Sequence, residues 1–321
     1  MTLALVELVG GLVVLGWSAD RFVLGAASTA RHLGLPALLI GMVIIGFGTS
    51  APELVVSAFA SGGGHPEIAL GNAYGSNIAN IGLVLGVTAL VSPILVHRGA
   101  IAAEIPMLFG VVGLAFWQYR DGVLSRYDAA ILVSAFAAVL VWSIRHAVKT
   151  KGEQLAVDAE QELAEAGLSR RAATVWTLVG LVALVASSYF MVEGATEVAR
   201  RLGMNDLVIG LTVIAIGTSL PELASALAAA RRSEHDLIIG NIVGSCLFNA
   251  LGVVGLAGII RPASVHSEIL TRDLPALAIL TVALALMAYR FRSDRRIDRI
   301  EGVGLLVAFV TYTAYVLVTS L

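Results

Sequence analysis

GMVIIGFGTSAPEL, residues 41–54, reads almost the same as GLTVIAIGTSLPEL, residues 210–223. Further along, GNAYGSNIAN at 71–80 faces GNIVGSCLFN at 240–249. One offset, 169 residues, carries Gly41 onto Gly210, Thr49 onto Thr218, Glu53 onto Glu222 and Asn80 onto Asn249. The same offset relates Pro93 to Pro262 and Pro106 to Pro275. A repeat without gaps over this distance implies that a unit of half the chain has been duplicated.

Composition identifies the solvent of that unit. Of 321 residues, 58% are hydrophobic and 14% charged, with a mean hydropathy of +0.88. A soluble domain is about 25% charged, so the chain reads as an all-α integral membrane protein. A helix needs about 20 apolar residues to cross the hydrocarbon core. Ten transmembrane helices are predicted, near 3–26, 36–60, 67–92, 99–118, 127–146, 172–199, 205–230, 236–260, 270–290 and 301–320. The first lacks the basic n-region of a secretory signal and is expected to be retained. Each half then holds five spans, 1–146 and 172–321, joined by a linker at 147–171. Five is odd, so the second unit must sit upside down relative to the first. Inverted repeats with the substrate near the bilayer midplane are a common plan of secondary transporters.

Lysines and arginines set the expected orientation. With the N-terminus outside, the inner loops hold 14 of them: Arg31, Arg98, Arg145, Lys149, Lys151, Arg170, Arg171, Arg231, Arg232, Arg290, Arg292, Arg295, Arg296 and Arg299. The outer loops hold 6: Arg120, Arg126, Arg200, Arg201, Arg261 and Arg272. Both termini are therefore expected outside a cell membrane, and the linker inside. That linker, with its acidic run Asp158, Glu160, Glu162 and Glu165, reads as a solvated connector with some helix. A formal charge of −2 without a lysine-rich tail argues against nucleic acid as a partner. The single cysteine, Cys246, excludes an intrachain disulfide framework and a zinc site built from several thiolates. The expected surroundings are the lipid bilayer, with no cofactor and no obligate protein partner implied.

The chemistry lies in the repeated polar residues. Glu53 and Glu222 fall mid-span, where a carboxylate is costly unless neutral, paired or bound to a cation. Neither motif contains a lysine or arginine to pair with it. Thr49 and Glu53 are four residues apart, as are Thr218 and Glu222, so hydroxyl and carboxylate share a helix face. Ser50 and Ser219 add a neighbouring oxygen, and Ser76 with Asn80, and Ser245 with Asn249, add neutral oxygens from the next span. Pro52 and Pro221 lack an N–H and free the carbonyls of Gly48 and Gly217. Gly46 and Gly48, with Gly217, loosen the same turn, so broken helices are expected at the site. Every donor is oxygen, which suits a hard cation such as Ca²⁺ or Na⁺ and not zinc or copper. Two carboxylates would balance one Ca²⁺.

These motifs resemble the two α-repeats of the calcium/cation antiporter superfamily, and the whole chain resembles a prokaryotic sodium/calcium exchanger. The resemblance implies that Glu53 and Glu222 bind Ca²⁺ and share it with competing Na⁺, with Thr49 and Thr218 offering carbonyl oxygens. It further implies one Na⁺ site from Ser50, Ser76 and the Gly46 carbonyl, and a mirror site from Ser219, Ser245 and the Ala215 carbonyl. Asn80 and Asn249 take the middle positions. Several members of that superfamily carry Asp at the position of Asn249, so this chain keeps two carboxylates, which leaves open the number of Na⁺ ions and any part for K⁺ or H⁺. The function expected is a secondary antiporter, not an enzyme, that exports Ca²⁺ against Na⁺ by alternating access, with the spans 3–26 and 172–199 sliding past a fixed site. A Ca²⁺/H⁺ antiporter on the same scaffold and, in a different class, a passive cation channel are the alternatives. An intramembrane enzyme is disfavoured by the lack of HExxH, GxSxG or a paired Asp motif at membrane depth.

Overall fold

The structure, a computed structural model, describes residues 2–33, 37–64, 66–96, 103–154, 168–201, 215–289 and 296–320. It is helical apart from two short strand pairs. In chain order the helices are α1 Thr2–Leu33, α2 Gly41–Thr49, α3 Ala51–Gly62, α4 Pro66–Val91, α5 Glu104–Gln118 and α6 Arg126–Gln154. They continue with α7 Arg170–Arg201, α8 Leu220–Arg231, α9 His235–Ile260, α10 Ile269–Tyr289 and α11 Arg299–Ser320. Short turns at Ala37–Ile40 and Ala215–Thr218 precede α2 and α8.

Among the described residues, seven helices are long and apolar enough to cross a membrane, and the bent pair α2–α3 makes an eighth. The span expected over 99–118 is represented by α5, of 15 residues, and residues 97–102 lie outside the described part. That expected over 205–230 is described only from Ala215 onward.

α4 and α9 carry the duplicated GN motifs, and they form the centre of the bundle. Their apolar windows are 72% and 78% buried, against 17% for α6 and 22% for α11. An outer helix of this composition turns its apolar side chains to lipid, so exposure of Val303, Val307 and Val310 on α11 is the expected state there. α2 lies directly on α9. A Cβ on Gly46 would come within 2.9 Å of the Asn241 carbonyl, and one on Gly244 within 2.5 Å of the Met42 carbonyl. Small residues let two backbones approach this closely in lipid. The GLVLG stretch at 82–86 packs in the same way, Gly86 facing Leu306 and Gly302 of α11.

α1 and α7 pack along each other at the side of this core. Gly180 sits on the backbone of Phe22, Gly25 sits on Thr177, and Trp17 meets Trp176 edge-on with ring centroids 6.0 Å apart. Arg21 lies 5.4 Å above the Trp176 ring, a cation–π contact. Asp20 of α1 joins Arg232, just past α8, at 2.6 Å. Four two-residue strands tie the ends of the bundle together: β1 Ile94–Leu95, β2 Val123–Leu124, β3 Ala263–Ser264 and β4 Arg296–Ile297. β1 pairs antiparallel with β4, and β2 with β3.

α6 continues to Gln154, into the stretch read as the connector, and α7 starts at Arg170. Glu104 is buried in the first turn of α5, where the helix dipole favours an anion, and Asp273 pairs with Arg272 at 2.6 Å and accepts from the Tyr312 hydroxyl at 2.8 Å.

Candidate ion site

The helix carrying each glutamate restarts just before it. α2 and α3 meet at 46° across Ser50, whose backbone (φ −83, ψ 11) has left the helical region. Ser219 does the same before α8 (φ −86, ψ 3). Pro52 and Pro221 occupy the first turns that follow, where a missing N–H costs nothing. Glu53 and Glu222 therefore stand in the first turn of their helices, near the positive end of the helix dipole. Both are fully buried.

Locally, Ser50-Ala-Pro-Glu53 and Ser219-Leu-Pro-Glu222 have the form of a capping box. Neither makes the side-chain cap bond. Instead the Ser50 hydroxyl crosses to the other motif and donates to Glu222 Oε1 at 2.7 Å, a short bond of the charge-assisted kind. Ser76 donates to Glu53 Oε1 and Ser245 lies equally close to Glu222 Oε1, both at 3.4 Å. The Thr218 hydroxyl approaches the Glu53 carboxylate, and the Thr49 hydroxyl that of Glu222. The two carboxylates are near enough to feel each other's charge.

The structure thus brings Thr49, Ser50, Glu53, Ser76, Thr218, Glu222 and Ser245 together. The Gly46 carbonyl accepts from Ser245 at 3.0 Å and from the Ser50 N–H at 3.2 Å, so it bridges the two motifs, brought there by the close seat of Gly46 on α9. Asn80 and Asn249 open the two π-helical turns Asn80–Val84 and Phe248–Val253 or lie just inside them. Such turns recur at functional sites because they redirect side chains within a helix. Ser219 is buried beside Glu222. Ala215 begins the turn before it, and residues 202–214 lie outside the described part.

Several buried oxygens have no hydrogen-bond partner among the described residues. Elsewhere they include Ser61, Glu104, Gln118 and Ser225, and within the repeated motifs Asn77 Oδ1; at the cluster itself they are Oε2 of Glu53, Oε2 of Glu222, the amide oxygens of Asn80 and Asn249, and the Ser219 hydroxyl. Buried polar atoms are nearly always satisfied, and the five at the cluster come from the two repeated motifs. Their chemistry, two carboxylate oxygens with neutral amide and hydroxyl oxygens, is that of a hard-cation cage.

Sequence reasoning passed over the first asparagine of each GN motif. Asn72 Nδ2 donates to the Glu53 carbonyl at 3.4 Å and Asn241 Nδ2 to the Glu222 carbonyl at 3.1 Å. Their Oδ1 atoms accept from Thr218 at 3.4 Å and Thr49 at 3.3 Å. The same offset of 169 residues that relates the motifs was the available signal. Cys246 is buried, its thiol 4.0 Å from the Asn77 carbonyl while Asn77 Nδ2 donates to the Cys246 carbonyl at 3.1 Å.

The chain as a whole is similar to known proteins. The family described as "Sodium/calcium exchanger protein" matches residues 3–145 and 172–318. CaxA of Alkalimonas amylolytica, an antiporter by provisional name, is 44% identical over 323 residues, covering 100% of each chain. The sodium/calcium exchanger MaX1 of Methanosarcina acetivorans is 31% identical over 94% of this chain and 95% of its own. A solved structure of the sodium-calcium exchanger NCX_Mj superposes with a TM-score of 0.84 at 32% identity, over 98% of both chains.

Proposed function

The chain belongs to the sodium/calcium exchanger protein family, a class of multi-pass membrane antiporters, and from that premise we propose that it expels Ca²⁺ in exchange for inward-moving Na⁺. The observation that carries this reading is the pair of buried glutamates, each with one carboxylate oxygen left over among neutral oxygens of the opposite motif. In this reading Glu53 and Glu222 balance one Ca²⁺ and later share their oxygens with Na⁺. Thr49 and Thr218, through their carbonyls, complete the Ca²⁺ shell, and Asn80 and Asn249 hold the middle. One Na⁺ site uses Ser50, Ser76 and the Gly46 carbonyl, and its mirror uses Ser219, Ser245 and the Ala215 carbonyl. The cation is cargo, so its affinity must be low enough for release as well as high enough for capture.

The scaffold we infer has ten spans in two inverted units, 1–146 and 172–321, with both termini outside. The gap in the family match, residues 146–171, supports a connector at 147–171 between the units. The exchange of partners between halves, Thr49 with Asn241 and Thr218 with Asn72, supports a pseudo-twofold relation through the site. Alternating access then comes from α1 and α7 moving as one pair past the site. Their mutual packing at Gly25 and Gly180 supports treating them as one body.

Asn249, which carries no charge, favours one further reading, a Ca²⁺/H⁺ antiporter in which protons replace Na⁺ on the same glutamates. Uptake of ⁴⁵Ca²⁺ into proteoliposomes separates these. Loading with Na⁺ should drive uptake, while K⁺ loading or a proton gradient in Na⁺-free buffer should not. Uptake driven by the proton gradient alone would replace Na⁺ with H⁺. Uptake with the membrane potential alone, with no trans ion, would mean a passive channel.

A further inference from the structure

Asn72 and Asn241 are not in position to bind the cation, because both ends of each amide are already engaged. Asn72 Nδ2 reaches the Glu53 carbonyl at 3.4 Å and the Ser57 hydroxyl at 3.3 Å, while its Oδ1 takes the Thr218 proton at 3.4 Å. Asn241 Nδ2 reaches the Glu222 carbonyl at 3.1 Å and its Oδ1 takes the Thr49 proton at 3.3 Å. Both side chains are buried, and neither amide oxygen is among the unpartnered atoms, unlike those of Asn80 and Asn249. Each amide therefore spans from the backbone of one glutamate to the threonine of the other motif. That threonine in turn lies against the first glutamate's carboxylate or its counterpart.

We propose that Asn72 and Asn241 are paired positioning residues that set the gap between the two glutamate-bearing helices, and with it the size of cation the site prefers. The argument is geometric. A planar amide is a rigid spacer, and two such spacers, crossing in opposite senses, fix both the separation and the relative slide of α3 and α8. Selectivity among hard cations depends on cavity size, ligand number and ligand flexibility. The donors at this site are held on helix ends, so the gap between those ends determines how far their oxygens can close on an ion. Ca²⁺ wants oxygens at about 2.3–2.6 Å, and the larger Sr²⁺ and Ba²⁺ need a wider cage. Releasing either spacer should let the cage widen and should weaken discrimination against the larger ions. Asn→Gln at either position should also widen it, because one extra carbon–carbon bond lengthens the spacer by about 1.5 Å.

The inference rests on the proposal that Glu53 and Glu222 bind the transported divalent ion. The experiment is competition of Sr²⁺ and Ba²⁺ against ⁴⁵Ca²⁺ uptake by the full chain in proteoliposomes, for Asn72→Ala, Asn72→Gln, Asn241→Ala and Thr218→Val, with Thr218→Ser as the conservative control. The Ba²⁺/Ca²⁺ half-inhibition ratio should fall at least about threefold in the first four, the scale of one lost buried hydrogen bond. It should return to the wild-type value in Thr218→Ser, which keeps the hydroxyl. Asn72→Ala combined with Thr218→Val should be no worse than either alone, since both cut the same bridge. If Asn72→Ala does not fold, Thr218→Val reads that bridge from its other end. A uniform loss for all three ions, with the ratio unchanged, overturns the positioning role and leaves the asparagines as packing. Glu53→Gln and Glu222→Gln run in parallel. If those retain Ca²⁺ uptake, it is the site reading that fails, and if they abolish it while the ratio stays fixed in the asparagine variants, only the spacer inference fails.

Discussion

Replacing Glu222 by Gln isolates charge from shape. In the structure Glu222 Oε1 accepts the Ser50 proton at 2.7 Å, and Oε2 has no partner among the described residues. Gln can keep its carbonyl oxygen on Ser50, so the crossing bond survives. The other oxygen becomes an NH₂ group whose hydrogens would face the ion. Removing one partner of a buried charge pair costs about 3–5 kcal/mol, which is about 150- to 5000-fold in Ca²⁺ affinity. Glu53→Gln should cost as much, since Glu53 is equally buried and likewise leaves Oε2 unpartnered. Without a cation the sign reverses, because one fewer like charge is buried beside the other. The thermal midpoint in chelator should therefore be equal to or above the wild-type value, while stabilisation by added Ca²⁺ disappears. Proteoliposome uptake of ⁴⁵Ca²⁺ and a thermal melt with and without Ca²⁺ read the two effects. A variant that keeps half-saturation within about threefold of wild type refutes the shared-carboxylate site. A variant that loses transport and also melts lower in chelator refutes it too, by assigning the glutamate to holding the bundle together.

The orientation proposed from the 14 to 6 basic bias predicts that, in a Cys246→Ala background, Gly62→Cys reacts with an impermeant thiol reagent from outside and Ser169→Cys only from inside, and the opposite labelling would invert the topology. Gly180→Ala should impair folding or transport by about 1–3 kcal/mol of overpacking, because its Cβ would sit 2.7 Å from the Phe22 backbone; a variant that melts and transports like wild type would show α1 and α7 to be loosely joined. Protons and Ca²⁺ compete for the same carboxylate oxygens, so half-saturating Ca²⁺ should rise as pH falls, with a slope no steeper than about two protons because Asn249 does not titrate. An affinity that stays flat from about pH 8 to about pH 5 would contradict the two-glutamate site.

What the sequence made legible was the local part of the site. The helix broke beside each Ser-Xaa-Pro step as expected, but the expected sharing of a face by Thr49 with Glu53 and Thr218 with Glu222 did not hold: the breaks at Ser50 and Ser219 fall between them, and the threonines cross, Thr218 toward Glu53 and Thr49 toward Glu222. Partners across the chain were not legible from spacing. Ser50 with Glu53 has the local form of a capping box, yet its hydroxyl serves Glu222, 172 residues away, because the opposing helix end offers a buried carboxylate where the capping box offers only a backbone N–H. The bond from Ser245 to the Gly46 carbonyl was not legible either, because it depends on the close seat of Gly46 on α9, a packing fact that no motif reports. Asn72 and Asn241 stood inside the quoted motifs but looked like ordinary polar residues on a helix, since their role exists only once the two halves face each other.

Several contacts between the halves are reciprocal, and one that is not has a consequence for mechanism. Thr49 with Asn241 mirrors Thr218 with Asn72, but Ser50 donates to Glu222 while the Ser219 hydroxyl has no partner among the described residues. On the proposed scaffold of inverted units, alternating access moves one part of the bundle against the other around the site, and the pseudo-twofold predicts that the Ser50–Glu222 bond marks one facing and a Ser219–Glu53 bond the other. Ser50→Ala should shift the population toward the second state and Ser219→Ala toward the first. Each loses a hydrogen bond to a charged group of about 1.5–3 kcal/mol, a change of about tenfold to a hundredfold in the two-state ratio. State-dependent thiol accessibility at introduced cysteines flanking the site, read in cation-free vesicles, would register shifts of opposite sign for the two variants. Shifts of the same sign would mean that the asymmetry between Ser50 and Ser219 is a local packing difference, unconnected to which side of the membrane the site faces.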